Sequence, residues 1–325
     1  MADRLSIVIP VYDEAPSLRE LHDELTSVLV SLGNEYEVIY VDDGSRDGSW
    51  NAIEQIASSD PRVAGLRLRR NFGQSTALSA GFDRCSADVI VTFDADLQND
   101  PQDVIKLLAR LREGYDLVCG WRKRRQDSFW GKRLPSKLSN WLASCISGLS
   151  IHDFGCTLRA YKIQVVREVS LYGELHRFFP ALAAWKGFKV TEEPVNHRPR
   201  KHGESKYGIT RIVHGALDMA IVYLLERYMS RPIHLFGVVG SLLAFFGFVL
   251  GGWLVIERIF FQQSLANRPL VLVPVVLILV GLQLFMSGVL SEMIGRTRFE
   301  SNIARPYSVL ETVGSPRTDP TRTRS

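Results

Sequence analysis

The sequence holds few cysteines and spaces none of them for a shared task. Cys85, Cys119, Cys145 and Cys156 make no Cys-x-x-Cys pair and no metal-ligand pattern among 325 residues. That excludes a zinc finger, a dithiol redox motif and a disulfide-stapled scaffold, and it fits reduced, mostly buried thiols in a cytosolic compartment. Strong net charge is missing as well. A formal +4 is too small for a nucleic-acid arm, so no nucleic-acid partner is expected. Met1-Ala-Asp-Arg-Leu runs straight into an apolar stretch, without the regions of a signal peptide. The N-terminal part of the chain is therefore not expected to be exported.

What is present is a repeated alternation. Apolar, β-branched runs at Leu5–Val11, Glu35–Val41, Val63–Leu68, Asp88–Phe93 and Asp116–Cys119 predict strands. Between them, helical spacing (Leu18, Leu21, Leu25, Leu29) and the segments 49–58, 75–85 and 101–113 predict helices. Strands too apolar for one wetted face imply a largely parallel sheet covered on both sides. Polar clusters follow each strand at the same edge, where ligands sit in open α/β sheets.

The most informative cluster is Asp94-Ala-Asp96-Leu-Gln98-Asn-Asp100-Pro101. Two carboxylates and an amide oxygen within five residues suit a hard divalent cation, which takes oxygen ligands and keeps substrate phosphates in its shell. A bare Asp-x-Asp is equally well an N-capping strand-to-helix turn, so the rest of the chain must decide.

Residues 122–137 turn basic, with Arg122, Lys123, Arg124, Arg125, Lys132, Arg133 and Lys137 around Phe129 and Trp130. This is either a solvated charge run or an anion site facing the carboxylates. A second basic segment, His197 to Tyr207, contains Gly203 and reads as a mobile loop. Asp153-Phe-Gly155-Cys156-Thr-Leu-Arg159-Ala-Tyr161 lies between the two.

Past residue 209 the composition changes. Ile212, Val213, Ala216, Leu217, Ala220, Ile221, Leu224 and Leu225 form one apolar stripe over 209–232: an amphipathic helix on a membrane or a partner, or an ordinary core helix. Gly237–Ile256 carries no charge over about 20 residues, enough to span the ~30 Å hydrocarbon core. Leu270–Leu290 repeats the pattern. Helices over 233–261 and 270–294 are thus expected to form a membrane hairpin, followed by a tail at 295–325 that is disordered from Gly314. Arg227 and Arg231 precede the first span, and Arg296, Arg298 and Arg305 follow the second, against Arg258 and Arg268 in the connection. The excess places both termini and the N-terminal domain in the cytoplasm, with the chain multi-pass in the inner membrane.

The motifs Ile9-Pro10-Val11-Tyr12-Asp13-Glu14, Asp42-Asp43-Gly44-Ser45, Arg70-Asn71-Phe72-Gly73-Gln74, Asp94-Ala-Asp96-Leu-Gln98, Arg125-Gln-Asp-Ser128, Gly155–Tyr161 and Gly203-Glu-Ser-Lys-Tyr207 occur in order before the two spans. In that arrangement the chain resembles the inverting family 2 glycosyltransferases of GT-A fold. Within them it resembles the membrane-anchored polyprenyl-phosphate enzymes: dolichol-phosphate mannose synthase, the prophage-type bactoprenol glucosyltransferases and the undecaprenyl-phosphate formamidoarabinose transferases. The Arg125-Gln-Asp-Ser128, Gly155–Tyr161 and Gly203–Tyr207 motifs resemble the last group most. One departure is Ser291-Glu-Met-Ile-Gly-Arg296, where many relatives have Gly-Glu-Tyr-(Ile/Leu)-Gly-Arg.

The resemblance implies transfer of a sugar from a UDP-sugar to undecaprenyl or another polyprenyl phosphate, for cell-envelope glycan or lipid A modification. It implies Mg2+ or Mn2+, with Asp96 and Gln98 as ligands and Asp94 either completing the set or holding the ribose. Arg122, Arg133 and Ser136 are candidates for the acceptor phosphate, and Arg200 and Lys206 for a loop closing over both phosphates. Pro10, Tyr12, Glu14, Asn71 and Gly73 are expected around the nucleoside, with Asp42 or Asp43 accepting from uracil; the alternative role of either is an N-cap to the next helix. Asp153 is either a base or a group orienting the acceptor or Arg159, and Arg159 is counted with the catalytic set. The resemblance also suggests a homo-oligomer, a tetramer being one form. Alternatives are a processive family 2 polysaccharide synthase, whose Gln-x-x-Arg-Trp motif is missing, a sugar nucleotidylyltransferase, whose N-terminal loop is missing, and a non-catalytic membrane scaffold.

Overall fold

The computed structural model describes residues 4–123, 144, 148–169, 171, 175–199, 232–260, 269–300 and 307–314. The chain divides into two compact units, Met1–Met219 with Arg305–Ser325, and Ala220–Ala304.

The first unit is built on an eight-stranded sheet of order β7-β5-β6-β4-β1-β2-β3-β8. Strands β1 (Leu5–Val11), β2 (Tyr36–Asp42), β3 (Val63–Leu68) and β4 (Val89–Thr92) form its parallel centre. Helices α1 (Ala15–Leu32), α2 (Ser49–Ser59) and α3 (Gln74–Phe82) make the crossovers, and α4 (Asp103–Arg112) leads on to β5 (Leu117–Trp121). Every residue of β1 except Pro10 and every residue of β2 except Tyr36 is buried. This is why these strands read as unbroken apolar runs: helices cover both faces. On α1, Leu18, Leu21, Leu25 and Leu29 are wholly buried against the sheet, and each contributes about 1.5–3 kcal/mol by leaving water.

The expected strands and helices of this unit are present with ends displaced by up to three residues. The sheet is more mixed than expected. Strand β6 (Arg159–Lys162) runs antiparallel between β4 and β5, and β7 (Val190–Pro194) pairs parallel with β5. The four residues of β6 carry a weak local signal; hydrogen bonding to a strand on each side holds them extended. Likewise the tail expected after the second span includes β8 (Val309–Val313), which pairs antiparallel with the edge of β3.

The second unit is a helical hairpin of α7 (Pro232–Phe260) and α8 (Leu272–Glu300). Helices α5 (Ile163–Glu168) and α6 (Phe179–Trp185) precede it in the first unit. Phe236–Phe260 and Pro269–Ser291 are long and apolar enough to cross a membrane, and side chains such as Phe245, Phe248, Leu279 and Leu282 are exposed along them. The two helices approach through glycine. A Cβ at Gly281 would lie 2.6 Å from the Gly240 carbonyl oxygen and 2.6 Å from the Ala244 nitrogen. Small residues that admit close backbones are how helices pack without a hydrophobic drive. The 209–232 amphipathic helix falls almost wholly outside the described residues.

Candidate active site

Strand β1 pairs in parallel with β2 on one side and β4 on the other. The chain therefore leaves β1 and β4 in opposite directions, opening a crevice at their carboxyl ends. The non-glycine residues with positive φ among those described, Asp13 (55°) and Leu97 (60°), sit in the loops after these two strands. Such conformations cost of order 1–3 kcal/mol each and persist where surrounding structure enforces them.

Beyond β4 the backbone alternates. Ala95, Leu97 and Asn99 are buried, while Asp94, Asp96, Gln98 and Asp100 are half-buried. The apolar members anchor the turn and leave the oxygen-bearing side chains at the crevice. Asp94 is braced: Gln74 Nε2 donates to its Oδ1 at 3.1 Å, and the Thr157 hydroxyl donates to its Oδ2. The backbone N–H of Gln98 donates to Asp96 Oδ1 at 3.2 Å. The Gln98 amide nitrogen donates to the Arg198 carbonyl at 3.4 Å, which directs the amide oxygen away from that carbonyl. Among the described residues no three His, Cys, Asp or Glu side chains converge as a metal cage. Asp96 and Gln98 are thus a small oxygen donor set. That fits a Mg2+- or Mn2+-type ion that fills its shell with phosphate oxygens and water, and does not fit a protein-enclosed metal.

The loops beside the crevice are tied to one another. Asp13 and Glu14 N–H groups donate to the hydroxyls of Ser45 and Ser49, each at 3.0 Å, and Ala15 N–H donates to Asp47 at 3.1 Å. This sets Pro10, Tyr12 and Glu14 against the Asp42-Asp43-Gly44-Ser45 turn. Gly44 allows the close approach: its φ is +73°, and a Cβ there would lie 2.6 Å from the Arg70 carbonyl carbon. Asp43 is buried and accepts from the N–H groups of Phe72 (2.7 Å) and Gly73 (2.9 Å). Asn71 Oδ1 accepts from Gly73 N–H at 3.1 Å. Burial raises the Asp43 carboxyl to about 6, against the pull of those two backbone donors. Asp42 accepts from Ser45 N–H at 3.0 Å and faces Arg67 at 3.6 Å, with burial again raising its pKa. Neither aspartate takes the alternative role of capping α2; Asp47 accepts the Ser49 N–H there at 2.9 Å. Asp42 and Asp43 lie too early in the chain to reach that helix end, whereas Asp47 is two residues from it.

Asp153 is also committed. Arg122 Nε donates to its Oδ2 at 2.7 Å, Arg122 Nη2 to its Oδ1 at 2.9 Å, and Gly155 N–H to Oδ1 at 3.1 Å. Burial opposes the charge on Arg122, and the paired carboxylate outweighs it, holding the guanidinium above its usual range. The bidentate pair makes Asp153 the orienting partner of Arg122. Arg159, placed with the catalytic set from the sequence, is fully interior. Its Nη1 donates to the His176 carbonyl at 2.6 Å and its Nη2 to the Phe154 carbonyl at 2.6 Å. It fastens the 154–157 turn to the 176–177 segment. Arg133, Ser136, Arg200 and Lys206 lie outside the described residues.

Residues 6–170 match the family model for glycosyl transferase family 2. The chain belongs to this family. It is 37% identical over 309 residues to dodecaprenyl-phosphate galacturonate synthase of Rhizobium johnstonii, covering 94% of this chain and 91% of that one. It is 39% identical over 296 residues to undecaprenyl-phosphate 4-deoxy-4-formamido-L-arabinose transferase of Shewanella sediminis, covering 90% and 88%. Among solved structures it resembles glucosyl-3-phosphoglycerate synthase of Mycobacterium tuberculosis, solved with Mn2+, UDP and phosphoglyceric acid. The TM-score is 0.50 at 18% identity, over 69% of this chain and 78% of that one. The fold of this family 2 glycosyltransferase is GT-A: a mostly parallel sheet with a Rossmann-like core, followed here by the two apolar helices.

Residues that sequence reasoning passed over brace those it selected. Gln74 and Thr157 hold Asp94, Ser45 and Ser49 hold the first loop, and Arg198 holds Gln98. Gln74 and Thr157 already stood inside recognised motifs, but nothing in their spacing marks a partner 20 or 63 residues away.

Proposed function

We propose that this enzyme transfers a sugar from a UDP-sugar to the phosphate of a polyprenol such as undecaprenyl phosphate, at the cytoplasmic face of the inner membrane. One observation carries the reading. The two relatives above align along nearly the whole chain, and their names share a polyprenyl-phosphate acceptor while differing in the sugar. The apolar hairpin suits an acceptor whose tail lies in the bilayer, and the arginine balance around it favours a cytoplasmic catalytic unit.

The chain's residues divide the work by charge. The tied loops carrying Pro10, Tyr12, Glu14, Asp42, Asp43, Asn71 and Gly73 would hold the nucleoside, and Asp94, braced at both oxygens, the ribose or the ion. Mg2+ or Mn2+ held by Asp96 and Gln98 would act as a Lewis acid on the departing diphosphate. Arg122, aimed by Asp153, would receive acceptor phosphate oxygens as a guanidinium fork. Arg133, Ser136, Arg200 and Lys206 complete the anion-binding set in this reading. The acceptor brings its own nucleophile: a phosphate monoester with a second pKa of about 6 is largely dianionic near neutrality, so Asp153 need not remove a proton. Self-association belongs to the same proposal.

Full-length protein in detergent, given undecaprenyl phosphate, Mn2+ and a panel of UDP-sugars, should release UDP and form a polyprenyl-monophosphate sugar visible by mass spectrometry. Absence of lipid product with every donor, in a preparation shown to be folded, would refute the assignment.

A further inference from the structure

After β7 the chain crosses the turn that carries Asp96 and Gln98, and it is held there at several points. Arg198 N–H donates to the Gln98 carbonyl at 2.8 Å, while Gln98 Nε2 donates back to the Arg198 carbonyl. Asn99 and His197 form an isolated antiparallel bridge. Asn196 N–H donates to Asp103 Oδ2 at 2.6 Å, and its side chain reaches Asp100 Oδ2 at 3.3 Å. The Arg198 guanidinium then spans two elements, with Nη1 on Glu24 of α1 at 2.7 Å and Nη2 on Asp100 at 3.1 Å.

We propose that Arg198 is a positioning residue for the metal turn: its forked pairing with Glu24 and Asp100 fixes the 196–198 backbone, which in turn sets the Gln98 amide with its oxygen toward the cation. The Arg198 side chain is 36% exposed and its two partners 34% and 16%. Pairs so open to water are worth about 0–1 kcal/mol in stability, which is too little to account for a three-element arrangement closed on one ligand side chain. A neighbour that orients a ligand typically changes metal affinity by about 10–100-fold.

The inference rests on the metal reading above, and the test separates the two. Free Mn2+ is titrated against the full-length protein with UDP present and followed by electron paramagnetic resonance. Asp96→Ala is expected to abolish UDP-dependent Mn2+ binding. Arg198→Met is expected to weaken it about 10-fold, Arg198→Lys to recover part of that loss, and Glu24→Gln to weaken it in the same direction. The unfolding midpoint of Arg198→Met should stay within roughly 2 °C of the parent. If Arg198→Met and Glu24→Gln bind Mn2+ like the parent while Asp96→Ala does not, the clasp has no positioning role and the metal reading stands. If Asp96→Ala also binds like the parent, both fall.

Discussion

Arg122 and Asp153 form a two-pronged ion pair, Nε to Oδ2 at 2.7 Å and Nη2 to Oδ1 at 2.9 Å, with side chains 14% and 5% exposed. The carboxylate that sequence reasoning left as base or orienter thus has both oxygens engaged by an arginine at the carboxyl end of β5. Asp153→Asn should lower kcat/KM about 100-fold, the penalty for a displaced binding group, without moving the acid limb of the pH–rate profile. A shifted limb would return the proton-transfer role to Asp153.

Removing the carboxylate altogether has a structural cost. Asp153→Ala strands a buried guanidinium and should destabilise the first unit by about 3–5 kcal/mol. The double variant Asp153→Ala, Arg122→Met should recover a large part of that loss in denaturant unfolding. Simple additivity of the two changes would mean the pair does not couple.

Asp43 supplies a pH dependence. Its folded pKa of about 6 lies above the ordinary 3.8, so folding binds its proton more tightly. The stability this contributes is present below about 4 and is lost as pH rises through about 6. Held ionised at neutral pH, Asp43 costs the fold roughly 3 kcal/mol while fixing the Phe72 and Gly73 N–H groups beside the crevice. UDP binding should therefore weaken below about pH 6, and Asp43→Asn should be weak at all pH values and lose that transition. Calorimetric titration with UDP from pH 5 to 8 would check this.

Gly281→Val places a branched side chain where a single Cβ already meets the Gly240 carbonyl oxygen at 2.6 Å. Overpacking of this kind costs about 1–3 kcal/mol. The hairpin should lose resistance to thermal unfolding in detergent, while UDP affinity, a property of the other unit, should hold.

Ending the chain at Pro306 removes β8 and leaves the β3 edge unpaired, together with the Arg67–Glu311 pair and the Tyr307–Asp83 hydrogen bond. The truncated protein should unfold earlier and aggregate more readily through that edge, as read by light scattering on heating.

Much of this was legible in one dimension. Buried parallel strands are apolar throughout, so β1 to β4 announced themselves, and so did two uncharged stretches long enough to cross a bilayer. The Asp94-Ala-Asp96-Leu-Gln98 row was visible because its chemistry is local: alternate residues of one extended turn share a face. What escaped was short or distant. β6 and β8 have too few residues to carry a period, and the carbonyl partners of Arg159 were out of reach because a basic side chain in a motif does not reveal what will surround it.

Residue order alone therefore determined the central parallel strands, the row of oxygen-bearing side chains from Asp94 to Gln98 and the apolar hairpin, since each depends on patterns within about twenty neighbouring positions. Only the tertiary structure decided which polar groups are engaged with one another. Asp153 holds Arg122 across 31 residues, Thr157 braces Asp94 across 63, and Arg198 clasps Gln98 across 100. Hydrogen bonds and ion pairs act over about 3 Å in space, and separation along the chain places no limit on which groups the fold brings that close.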